Sequence, residues 1–146
     1  MDGPKLMIYG QRNECDGWDT AQAFGMKLIV AGASNAKGAW VELIASTDFD
    51  SNELWLQAHA LLGAASDRAI DIGFGAASSE VMHIEGILVQ NSADVSALIA
   101  RFPIRIPKGT RIAARAQCTN ASTQNCGCVA AIYGGGFMGG HAAGVP

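Results

Sequence analysis

The sequence predicts an all-β fold, an antiparallel jelly-roll β-sandwich of about eight strands with an N-terminal arm and a glycine-rich C-terminal tail. Three observations predict it. Apolar and polar residues alternate over short runs through most of residues 26–134. Gly, Ser, Asn, Asp and Pro interrupt those runs at nearly regular intervals. Helical periodicity is missing except over Ala93–Ala100, where one helical turn is expected, and the connections are too short for the crossover helices of a parallel α/β fold.

Residues 1–25 carry Asn13, Glu14, Asp16 and Asp19 without sustained alternation, and read as an arm or irregular lead-in to the 26–134 sandwich. Strands are expected at Met26–Ala33 and Ala39–Ser46. In Asn52–Ala60, Leu54, Leu56, Ala58 and Ala60 share one face, while Glu53, Trp55, Gln57 and His59 share the other, which makes a half-buried strand. Arg68–Phe74 repeats the pattern with Ile70, Ile72 and Phe74 inward and Asp71 and Gly73 outward. The tetrapeptide Gly-Ala-Ala-Ser brackets it at 63–66 and 75–78 as two turns. After a strand at Val81–Gln90, a hairpin is expected from Phe102–Ile106 through Pro107-Lys108-Gly109 to Thr110–Ala116, since Pro presets φ and Gly tolerates a positive one. Pro103 removes a ladder donor and points to an edge or a strand start. Cys126–Tyr133 is the last strand, and residues 135–146 form the glycine-rich tail, which cannot build a core alone.

Composition sets limits on function. The 146 residues fit one domain, and 49% hydrophobic against 16% charged residues excludes a disordered charged chain. A formal charge of -3 supplies no cationic field for nucleic acid or an anionic membrane. No apolar run approaches the roughly 20 residues of a membrane helix. Met1–Lys5 lacks a basic segment followed by an apolar run, so synthesis in a cytosol without a secretory signal is expected.

Few residues offer chemistry. His59, His83 and His141 stand outside any metal-ligand spacing, and His83 with Glu85 on one strand face is as readily a plain polar face as an acid/base pair. Cys118 closes one strand about opposite Cys126 on the next. These thiols, with Cys128 and Cys15, read as small buried hydrophobes, as a Cys118–Cys126 disulfide in an oxidising setting, or as zinc ligands lacking the usual paired knuckles. Gly73–Ser78 approaches a dinucleotide fingerprint but opens no helix, and no Ser lies in Gly-x-Ser-x-Gly. Asn120-Ala121-Ser122 is a formal glycosylation sequon that means little without secretion. No catalytic residue, metal or cofactor is therefore expected. Arg105, Arg111 and Arg115 are predicted on the outer face of the long hairpin as a basic stripe, either solvated or paired with acidic groups of a neighbouring subunit. Trp40 and the pair Trp55 and His59 place aromatic surface on faces predicted to be polar, as an interface or a sugar platform would.

Gly38–Thr47, Ile70–Gly73 and Phe102–Arg115 together give the chain a pattern that resembles small jelly-roll virion proteins of tailed bacteriophages, over roughly residues 26–134. The resemblance implies an antiparallel sandwich that oligomerises, often as a trimer, and attaches to a capsid or tail by an arm or rim; it carries over no catalytic residue. The expected function is a capsid decoration or cement protein, a homotrimer bound to the major capsid protein or other virion proteins and located in the virion. A tail, neck or baseplate component with a host-glycan site is the alternative within that class. A small β-fold metal-binding protein or enzyme is the alternative outside it.

Overall fold

The computed structural model describes residues 12–16, 27–60, 66–89 and 97–134; the tail, residues 93–96 of the expected helical turn and most of the lead-in lie outside them. The described residues form β1 (Arg12–Asp16), β2 (Lys27–Gly32), β3 (Val41–Ile44), β4 (Ser51–Ala60), β5 (Arg68–Phe74), β6 (Val81–Val89), β7 (Ala97–Phe102), β8 (Ile112–Cys118) and β9 (Gln124–Gly134). One 3-10 turn, Ala33–Asn35, follows β2. No helix among the described residues is long and apolar enough to cross a membrane.

Strand pairing sorts these elements into two layers, β3-β8-β5-β6 (sheet one) and β2-β9-β4-β7 (sheet two), with β1 taking the place of β2 along the far end of β9. This interleaving of strands distant in sequence is a jelly roll. Every pairing is antiparallel except a seam where the end of β2 leaves sheet two and runs parallel to β8, Ala31 opposite Ala116 and Gly32 opposite Gln117. The core fills the space between the layers from the predicted inward positions. Leu54, Leu56 and Ala58 of β4 are fully buried, as are Ile70 and Ile72 of β5 and Ala130 and Ile132 of β9. At about 25 cal/mol per Å² of apolar surface removed from water, this inner face is what holds the sheets together.

Two local expectations are corrected. Ala97–Ala100 is strand rather than helical turn: β7 pairs with β4, Leu98 packs toward the core and Ile99 is 67% exposed, a period of two. Phe102–Ile106 and Thr110–Ala116 do not form a hairpin. Both edges of β8 are already occupied, by β5 on one side and by β3 and the end of β2 on the other. Pro103 ends β7, the Ile104 amide turns back to the Phe102 carbonyl (2.9 Å), and Ile106 exchanges two 2.8 Å hydrogen bonds with Ser51. The Pro107–Gly109 turn does form, but it carries the chain across the end of the sandwich from sheet two to sheet one. Thr47 anchors it, its carbonyl accepting the Gly109 amide (2.8 Å) and its hydroxyl accepting the Thr110 amide (3.0 Å).

Candidate functional site

The outer face of sheet one carries the densest polar chemistry. Asp71 projects outward from the middle of β5 as predicted, yet its side chain is only 1% exposed. Lys37 Nζ lies 2.8 Å and Arg115 Nε 3.0 Å from Oδ2, and the Gly86 amide donates to Oδ1 at 3.0 Å. Gly86 sits at a bulge in β6 with φ of +72°, a conformation that favours glycine, and the bulge turns its amide toward the carboxylate. Burial pushes the Asp71 carboxyl up, but hydrogen bonds from Lys37, Gly86 and Arg115 outweigh it and hold the group below its ordinary value.

Trp40 lies over this face. A Cβ added at Gly73 would come within 2.8 Å of its ring, and the Arg115 guanidinium stands 4.5 Å from the ring centroid. Glycine at 73 is therefore a matter of space. Gly73→Val is expected to lift Trp40 and destabilise the fold by about 2 kcal/mol, checked by urea unfolding together with the near-ultraviolet dichroism of the tryptophans.

The three arginines predicted as one stripe have different surroundings. Arg111 is 15% exposed and bridges Glu42 (2.7 Å) and Glu80 (2.8 Å). Burial opposes its charge, and the two carboxylates more than restore it. Arg115 is held by Asp71 and Trp40. Arg105 is exposed and makes no ion pair among the described residues. Two of the three thus direct their guanidinium groups to carboxylates of their own chain.

Trp55 and His59 lie on the opposite outer face, that of sheet two, so Trp40 and Trp55 form no common platform. Trp55 packs against Tyr133 at 4.9 Å, with Arg101 4.4 Å from its ring centroid, and Arg101 is paired with Glu53 at 2.6 Å. His59 meets Gln57 at 3.0 Å. Around them the same face exposes Leu28 (41%), Val30 (47%) and Ile99 (67%).

Cys118, Cys126 and Cys128 are free, buried thiols, which corrects the disulfide reading. β8 and β9 are not neighbours: Cys118 stands opposite Arg68 of β5, whereas Cys126 stands opposite Ile29 and Ala60. The Cys118 sulfur faces the carbonyls of Gly32 (3.3 Å) and Ser122 (3.5 Å). Burial pushes the Cys126 thiol up to about 11 against the charge of Arg68, and burial pushes Cys128 further up. Such thiols stay protonated at neutral pH and act as small apolar groups. No group of three or more His, Cys, Asp or Glu side chains among the described residues is placed to hold a metal ion. His83 and Glu85 go to different neighbours, His83 stacking on Phe74 at 4.3 Å and Glu85 reaching Lys37 at 3.4 Å.

One open cleft of about 800 Å³ lies at the end of the sandwich, between the turn after β5 and the segment 105–111. The dinucleotide-like Gly73–Ser78 stretch forms part of its wall, and no helix follows that stretch. Arg111 pins the turn, its carbonyl accepting the Gly75 amide (3.1 Å) and its Nη1 donating to the Gly75 carbonyl (3.3 Å). The sequence does not reveal this cleft, because its walls come from segments about 30 residues apart that the pairing of β5 with β8 and the contacts of Arg111 bring together.

No family model matches the chain, and no curated protein matches it. Among solved structures the fold is similar to a chain in the structure of infectious bursal disease virus Gt strain, a virus other than a tailed phage. The identity is 10% and the TM-score 0.44, over 93% of this chain and 36% of that one. The chain thus spans little more than a third of the length of the viral chain it matches.

Proposed function

We propose that the chain is a structural virion protein, a capsid decoration or cement protein of a tailed phage, made in the host cytoplasm and carried as a homotrimer on the major capsid protein. The observation that carries this reading is the outer face of sheet two, where a two-layer jelly roll leaves Leu28, Val30 and Ile99 exposed around a packed Trp55. Exposed apolar side chains gathered on one face, rimmed by polar ones, mark a contact surface. A protein that binds an assembled lattice better than free subunits shifts the equilibrium toward the closed shell by mass action.

Electron microscopy of particles incubated with gold-labelled protein tests the reading. Label over the whole head is expected; label only at the tail would transfer the protein to the tail or baseplate, and an absence of label would overturn the virion role. The self-contact has its own test. Leu28→Asp with Ile99→Asp is expected to leave the dichroism β-like, because both side chains are exposed, while the mass by light scattering falls from trimer to monomer. An unchanged mass would remove this face from the oligomer.

A further inference from the structure

We infer that the cleft at the start of β6 is a docking site for a short, extended, acidic segment of a partner protein, with a carboxylate of that segment held by Arg105. The inference deepens the virion reading and rests on it for the partner's setting, but the binding chemistry is read from the cleft itself.

The walls are largely apolar. Phe74 and Pro107 line the cleft, and Val81 at its mouth is 62% exposed. An extended segment with an apolar side chain would shelter these groups from water. β6 is the last strand of sheet one and is paired only with β5 among the described residues, so its outer edge is a place where such a segment can pair. The segment has to be short. Ile72 stands opposite Ile84 and Gly73 opposite Met82, so His83 is the extra residue of a bulge, and a second irregularity follows near Gly86. Bulges interrupt an edge ladder and re-aim side chains, and here His83 is turned onto Phe74, into the cleft wall.

Charge selects the segment. Arg101, Arg111 and Arg115 each meet a carboxylate of this chain, whereas Arg105, also in the cleft wall, meets none among the described residues. Nearby carboxylates are engaged: Glu80 is held by Arg111 at 2.8 Å, and Asp50 accepts the Lys108 amide at 2.8 Å. Arg105 is therefore a guanidinium of the cleft wall left without a carboxylate among the described residues, and a guanidinium presents a planar fork that matches a carboxylate.

The test uses the full chain and fluorescein-labelled hexapeptides of alternating valine and threonine ending in two aspartates, with a series moving the aspartates along the peptide and a control series carrying lysines. Fluorescence anisotropy at low salt is expected to show saturable binding of aspartate peptides and none of the lysine peptides. Arg105→Ala is expected to weaken binding about tenfold, and Arg105→Lys less. Because Arg105 is exposed and unpaired among the described residues, dichroism and melting should not change.

The site is overturned if no aspartate peptide binds saturably, if lysine peptides bind as well, or if Arg105→Ala leaves the affinity unchanged. Self-association that Arg105→Ala abolishes would give the cleft to a second copy of the chain and also overturn the assignment. Particle labelling is read separately: labelled heads without peptide binding would sink only the cleft, and peptide binding without labelled particles would sink only the virion setting.

Discussion

Replacing Asp71 with alanine is expected to lower the unfolding free energy by about 4 kcal/mol, a large part of the 5–15 kcal/mol typical of a domain. The carboxylate is 1% exposed and accepts from Lys37, Arg115 and the Gly86 amide. Lys37, 32% exposed, and the amide of the exposed Gly86 can turn to water when the acceptor disappears; Arg115, 23% exposed and stacked on Trp40, has less access. Most of the loss should therefore come from Arg115 left without its carboxylate. Asp71→Asn keeps an acceptor for that guanidinium and should lose less. The pH dependence has a definite sign. The folded carboxyl is depressed below its ordinary value, so its contribution is present above the unfolded pKa and lost as pH falls through the folded one. Urea unfolding at successive pH values should show wild-type stability dropping below about pH 4, with a shallower drop in Asp71→Ala. A loss under 1 kcal/mol at neutral pH would mean that water replaces the carboxylate at little cost.

Leu56→Ala is expected to destabilise the fold by about 3 kcal/mol. Leu56 is fully buried at the centre of β4, opposite Ala130 of β9 and Ala100 of β7. Those alanines are too short to fill the space a leucine leaves, so a cavity persists and its lining loses contacts outright. Leu56→Met, which preserves volume, should lose less than about 1.5 kcal/mol. Ile99→Ala on the exposed outer face should stay within about 0.5 kcal/mol. Equal losses from Leu56→Ala and Ile99→Ala in chemical denaturation would contradict the inside and outside assigned to sheet two.

Strands were legible where alternation was clean. Arg68–Phe74 is β5 to the residue, and the inward sets of β4 and β5 are those expected from parity. What alternation cannot supply is the neighbour. The turn at Pro107–Gly109 was readable, but its arms belong to different sheets, because that depends on which edges of β8 other strands occupy. Leu98-Ile99-Ala100 reads equally well as helix or strand over so short a span, and pairing with β4 decides it. The Asp71 site was missed for a related reason. Its partners lie 34 residues before it at Lys37 and 44 after it at Arg115. Two signals were nonetheless present, an aspartate amid the isoleucines of β5 and a glycine inside β6.

Strand order also governs when the protein can be completed. β9 lies between β4 and the pair β1 and β2, so sheet two has a gap at its centre until the residues up to Gly134 are available. On a translating ribosome, β3, β5, β6 and β8 can assemble earlier, while β2 and β4 wait with bare edges for a strand still inside the exit tunnel. Their protection from wrong pairing during that interval is a matter of synthesis rate and chaperones, and truncations ending before Gln124 should emerge as aggregation-prone halves.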